Sequence, residues 1–234
     1  MIPLKNLDPR RSFPVITLLL IVANAVVFLH QVSLPPAAGD AFVRTWGLVP
    51  ARIQLALAGS HRYTLGDALV PLFTCMFLHG GFLHILGNMW FLWIFGANVE
   101  DRLGAVPYLF FYLVCGVGSG VSQAAFSWGS RIPSIGASGA ISGVLGAYIV
   151  LLPASRILTV VPLFIFWFTA RIPAIVFIGL WFIVQFLSGI ETLGMPRAVN
   201  LGGVAWWAHI GGFLLGVLLA RVFRPPPRAL EYYG

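Results

Sequence analysis

A chain of 234 residues that is 59% hydrophobic and only 9% charged, with a mean hydropathy of +0.92, is excluded from the ordinary soluble domains, in which roughly 25% of residues are charged. Its net charge of +7 and pI near 10.1 do not indicate a nucleic-acid partner, because the Lys and Arg residues fall singly or in pairs between apolar runs, where they set topology. Cys75 and Cys115 have neither CxxC nor CxxH spacing, so no disulfide framework and no zinc site is indicated.

Apolar runs of about 20 residues match helices crossing a hydrocarbon core of roughly 30 Å, and the short alternating strands of a membrane barrel are missing. The expected fold class is therefore all-α, a polytopic protein of one membrane domain over 1–234 with short ends near 1–12 and 224–234. Lys5, Arg10 and Arg11 precede an apolar run over 13–29 that superficially matches a secretory signal. The run is long enough to span, and Ala37-Ala38-Gly39 is a poor cleavage site after two prolines, so an uncleaved first helix is favoured. The pattern predicts six helices, at 14–32, 69–99, 106–127, 138–152, 172–188 and 204–223.

Segment 33–68, with Trp46 and the Val49-Pro50-Ala51 turn, mixes apolar and polar residues below spanning length and reads as a structured external loop lying partly in the interface. Arg224-Pro225-Pro226-Pro227-Arg228 reads as an extended tail. With the N-terminus inside, the inner segments hold Lys5, Arg10, Arg11, Arg102, Arg156, Arg171, Arg221, Arg224 and Arg228, and the outer ones Arg44, Arg52, Arg62, Arg131 and Arg197. The positive-inside rule thus places both termini in the cytoplasm.

The fourth helix is short. Pro133 and Gly136 interrupt the chain before it and Pro153 closes it, leaving about 15 residues or roughly 22 Å, less than the hydrocarbon core needs. If its inner end sits at the cytoplasmic interface, Ser138 lies below the outer surface, reached by an irregular loop that protein or water must shield.

At about 100° per residue, Ser138, Gly139, Ser142, Gly143 and Gly146 share one face of this helix, within about 140°. Ala205, His209, Gly212, Gly216 and Ala220 form a narrower stripe on the sixth. Small stripes allow close approach of membrane helices, and packing alone is one account of the glycines. A histidine within a span is costly unless partnered, which makes His209 a functional candidate. If the stripes meet, His209 reaches Ser138.

On the second helix His84 and Asn88, one turn apart, could both donate to an oxyanion; the alternative is a polar pair bonded to nearby backbone. His79 reads as an interfacial or loop-anchoring residue, His30 and His61 receive no role, and Glu100-Asp101-Arg102 reads as a local ion pair securing the turn into Gly104. No carboxylate lies in a span where it could orient His209, so a Ser-His dyad is simpler than a triad. Ala140 stands where a Gly-x-Ser-x-Gly elbow has its last glycine, and no strand precedes Ser138, which excludes an α/β-hydrolase.

Together these residues resemble the rhomboid family of intramembrane serine proteases. Gly136-Ala137-Ser138-Gly139 is similar to its nucleophile motif, Ala208-His209-Ile210-Gly211-Gly212 with Gly216 to its base-bearing helix, and His84-Ile85-Leu86-Gly87-Asn88 to its oxyanion motif. Glu100-Asp101-Arg102 resembles its Glu-x-Arg motif, six helices match its minimal core, and the similarity covers most of the chain. The resemblance implies cleavage of transmembrane protein substrates in the lipid bilayer with no metal or cofactor. Ser138 would be the nucleophile, His209 the base, and His84, Asn88 and the Ser138 amide the oxyanion site. It further implies a first loop resting in the outer leaflet, a fifth helix and a loop over 189–203 gating lateral entry, and a multi-pass location in a bacterial cytoplasmic membrane.

Some bacterial members carry a tyrosine one turn after the nucleophile, packed on the histidine; Ser142 here leaves that ring to Trp206, Trp207 or Phe213. Two alternatives stay open, a rhomboid-like pseudoprotease that binds membrane proteins without cutting them and a small transporter, although the chain keeps Ser138 and His209 and has neither an inverted repeat nor an intramembrane carboxylate. Physiological substrate and oligomeric state are not encoded in any motif.

Overall fold

The computed structural model of the chain describes residues 1–163, 166–193 and 204–222. The proline-rich tail and most of the expected gating loop, 194–203, lie outside the described residues.

Helix α1 (Val15–Ser33) begins after Pro14 with no cap from its own sequence. The first loop then folds into α2 (Pro36–Trp46) and α3 (Pro50–Leu57), each started by a proline at its first position, where the missing amide costs nothing. Helix α4 (Leu65–Thr74) opens with a capping box between Thr64 and Asp67 and ends in a 3₁₀ turn, Cys75–Phe77. After an extended break at Leu78, α5 (Phe82–Phe91) continues through a π-helical turn, Leu92–Gly96, into α6 (Ala97–Leu103). Gly104, at φ +87°, ends that run, and α7 (Ala105–Phe126) follows directly. The last three helices are α8 (Ser138–Leu151), α9 (Ala174–Leu193) and α10 (Trp206–Val222).

Four of these stretches, Val15–Ser33, Phe82–Leu103, Ala105–Phe126 and Ala174–Leu193, are long and apolar enough to cross a membrane, and Ser138–Leu151 and Trp206–Val222 are shorter apolar helices. This is an integral membrane protein. Helix α8 stands at its centre: Gly139 to Tyr148 are all buried, as befits a helix apolar on every face, and α7 and α10 close on it from two sides.

Three sequence expectations need correction. The chain is mostly helical but not all-α, for β1 (Ile2–Asn6), β2 (Arg156–Leu163) and β3 (Phe166–Pro173) form an antiparallel sheet in the order β1-β2-β3, with Pro3 opposite Thr159 and Arg156 opposite Pro173. A short β-branched run such as Arg156–Leu163 reads equally as loop or strand, and its partner β1 lies far away in sequence. The helix expected over 69–99 is two elements, because Leu78 to Gly81 leave the helical path and α5 starts afresh at Phe82. The fifth helix begins at Ala174 rather than 172, since Ile172 and Pro173 belong to β3, and it runs on to Leu193.

The reading of Glu100-Asp101-Arg102 as a local ion pair also missed the reach of its acids. Glu100, 3% exposed, accepts from the amides of Ile16 (2.9 Å) and Thr17 (2.8 Å) and from the Thr17 hydroxyl (2.8 Å). Asp101 accepts from the amides of Arg11 and Ser12 and the Ser12 hydroxyl. The two carboxylates therefore serve the unpaired N-H groups at and before the start of α1, where the helix dipole also favours negative charge.

Candidate active site

Three backbone anchors set the irregular segment before α8. Leu48 and Ser134 exchange hydrogen bonds of 3.0 and 2.8 Å, the Ala51 amide donates to Ser130, and the Gly136 amide donates to the Cys75 carbonyl at 2.9 Å. Protein from the first loop and from the end of α4 thus satisfies a non-helical stretch that lipid could not. The consequence is a fixed entry into α8, whose first residue, Ser138, is half-buried and carries an amide with no partner inside its own helix.

The small stripes on α8 and α10 do meet. A Cβ on Gly212 would collide with the carbonyl oxygen of Gly139, one on Gly216 with that of Gly143, and one on Gly146 with that of Phe213. Gly139 turns its own bare face to Ser119 of α7 and Gly143 to Cys115, so the stripe on α8 is wedged between two neighbours. At such backbone separation the side chain of His209, 7% exposed, spans the gap, and its Nε2 lies 2.7 Å from Ser138 Oγ.

Across from this pair, α5 brings His84 and Asn88 to the same backbone. The Gly80 amide donates to His84 Nδ1 at 3.2 Å, which leaves the neutral ring its proton on Nε2. A Cβ built on Gly136 would stand 2.9 Å from His84 Nε2 and 3.6 Å from Asn88 Nδ2, so both donors face the turn that leads into Ser138. Asn88 is 8% exposed, and its Nδ2 has no hydrogen-bond partner among the described residues. Gly136 adopts φ +127°, a conformation side chains resist, and the ring of His84 fills the space a side chain would need.

Two residues at this site escaped the sequence reading. Gln185, on α9 and 7% exposed, has its Oε1 2.6 Å from His209 Nδ1. Trp181, one turn earlier, lies 5.9 Å from the imidazole at 37°, and Trp206 meets it edge-on at 6.2 Å. Of the three aromatic residues expected on the ring, only Trp206 is there. Trp207 stacks on Phe126 and its indole N-H donates to Thr192, while Phe213 stacks on Phe182. Ser142 turns back on its own helix, donating to the Ser138 carbonyl at 2.6 Å. The available signal was a lone glutamine in the otherwise apolar stretch 175–187.

His79 is fully buried, edge-on to His84 at 5.1 Å, with its backbone held by both amide atoms of Gln31. It anchors the break before α5. Among the described residues no group of three or more His, Cys, Asp or Glu is placed to hold a metal ion.

A family model for the Rhomboid domain matches residues 66–226. RHOMBOID-like protein 4 of Arabidopsis thaliana is 32% identical over 96% of this chain and 55% of its own length. Rhomboid protein 1, mitochondrial, of Saccharomyces cerevisiae is 34% identical over 61% of this chain and 38% of its own, and the presenilin-associated rhomboid-like protein, mitochondrial, of Mus musculus is 33% identical over 63% and 36%. The chain spans about half the length of these relatives or less.

Proposed function

Because the chain belongs to the rhomboid family, we propose that it is an intramembrane serine endopeptidase acting through Ser138 and His209. The observation that carries this reading is the 2.7 Å contact between Ser138 Oγ and His209 Nε2. In the proposed reaction Ser138 attacks the scissile carbonyl while Nε2 takes its proton, and the imidazolium returns that proton to the leaving amine. The oxyanion is held by His84 Nε2-H, Asn88 Nδ2 and the Ser138 amide, a role for which Asn88 Nδ2, without a partner among the described residues, is suited. Water then hydrolyses the acyl-enzyme along the same proton path.

In this reading α8 and α10 count as the two further spans of a six-helix membrane domain, both termini lie on the cytoplasmic side, and substrates are transmembrane proteins that enter past α9. Nothing in the reaction calls for a cofactor.

The test is labelling of the detergent-purified protein with a fluorophosphonate. Wild type should label, and Ser138→Ala and His209→Ala should not; labelling that survives in Ser138→Ala refutes the nucleophile. Only neutral imidazole can accept the serine proton, so wild-type labelling should fall as the pH drops through the titration of His209. A rate that stays flat on acidification until the protein unfolds removes His209 as base. If the protein binds model spans yet leaves all of them intact, a non-proteolytic binding role replaces the protease.

A further inference from the structure

We propose that Gln185 is a positioning residue for His209, fixing the tautomer that leaves Nε2 free to accept the serine proton. This rests on the reading of Ser138 and His209 as nucleophile and base.

A neutral imidazole has one N-H, and its place decides whether the ring can act. Productive chemistry needs the proton on Nδ1, and Nδ1 is the atom that faces Gln185 Oε1 at 2.6 Å. A carbonyl oxygen only accepts, so this contact requires Nδ1-H and leaves a lone pair on Nε2, 2.7 Å from Ser138 Oγ. The two short contacts form one directed chain from the serine O-H through the imidazole to the amide. With the amide turned over, its NH₂ would donate to Nδ1, the ring proton would move to Nε2, and Ser138 would have no base.

Among the described residues no carboxylate reaches the ring. Around the imidazole, α8 contributes Ser138, α9 contributes Gln185 and Trp181, and α10 contributes Trp206, none of which ionises near neutral pH. The titratable side chain across the site is His84 of α5, which faces Gly136. Gln185 thus performs the orienting part of a triad's third member without supplying its charge.

The base also takes its orientation from a different helix than its own. Gln185 is nearly buried, yet only 28% of the most apolar window of α9 is buried within the protein, so a polar side chain here has the site as its place. The contacts flanking it, Phe182 on Phe213 and Thr192 with Trp207, hold α9 against α10 on either side of the hydrogen bond.

The test measures fluorophosphonate labelling rates against pH for wild type, Ser138→Ala, Gln185→Leu and Gln185→Glu, alongside thermal unfolding in detergent. Leucine fills the space but cannot accept, and should slow labelling about 10- to 100-fold, the scale of other orienting hydrogen bonds to histidine. Glutamate can only accept; it should label within a few-fold of wild type, and because a carboxylate stabilises the imidazolium its acid limb should move to higher pH. A packing role would show as lost thermal stability in both variants with an unmoved pH profile. Gln185→Leu labelling at the wild-type rate, or a Gln185→Glu acid limb that coincides with wild type, overturns the proposal. If Gln185→Leu fails to fold, the Gln185→Glu profile alone decides. Labelling of Ser138→Ala instead refutes the underlying dyad, so the two failures are distinct.

Discussion

Ser138, His209, His84 and Asn88 are all visible as polar groups in apolar helices, where an unpaired donor or acceptor is costly enough to need a reason. Gln185 is as polar, and as buried as His209 and Asn88, but its partner, His209, stands on another helix, and a glutamine alone announces no chemistry. Gly136 is the sharpest residue-scale dependence. Its φ of +127° and the His84 ring 2.9 Å from where a Cβ would stand both exclude a side chain. Strain of about 1–3 kcal/mol is typical of such a backbone position. Gly136→Ala should therefore insert into the membrane normally and lose labelling by about tenfold or more, and a wild-type labelling rate would show that the turn tolerates displacement.

At the scale of elements, period and punctuation were readable and partners were not. The start of α8 at Ser138 and its end before Pro153, the run of α7 and the span of α10 all follow from glycine, proline and apolar periodicity. The break at Leu78 to Gly81 had its signal in Gly80-Gly81, and the backbone contacts of His79 with Gln31 hold the chain off the helical path there. The capping box of α4 was likewise open to reading: the Thr64 amide and hydroxyl hold the Asp67 carboxylate below its ordinary range. That cap is accordingly complete at neutral pH and is lost as the pH falls through the lowered value.

Helix contact carries the strongest element-scale prediction. Gly216 lies two turns beyond His209 and its missing side chain admits the Gly143 carbonyl. Gly216→Val should force α10 from α8, costing about 1–3 kcal/mol as overpacking does, and should shift His209 off Ser138. Thermal unfolding followed by tryptophan fluorescence, paired with labelling, checks both; unchanged values in each would mean the helices can separate without loss.

The whole molecule combines a membrane bundle with distant clamps. Glu100 and Asp101 hold the start of α1, the Pro3 carbonyl accepts from Trp90, and Tyr148 and Asn6 meet through Ser155. These join the first residues of the chain to the end of α8, the helix that bears Ser138. The proposed protease needs such rigidity on its own side because its substrate must yield instead: a transmembrane helix hides its carbonyls in internal hydrogen bonds and has to unwind before a serine can reach one. Model spans with Gly or Pro near their outer end should be cut, and the same spans with Leu at those positions spared, as read by mass of the products. Equal cleavage of both sets would mean that local helix stability does not select the substrate.

Period, composition and spacing along the chain express a membrane protein, the extent of most helices, a short α8 headed by Ser138, and two stripes of small residues that permit close approach. Tertiary structure decided every relation between distant segments: the sheet that joins β1 to β2, the capping of α1 by Glu100, the contact of α8 with α10, and the hydrogen bond from His209 to Gln185. The physical reason is that local propensity depends on neighbours along the chain, whereas a hydrogen bond within a buried site depends on which helix happens to face it, and that is settled only when the bundle packs.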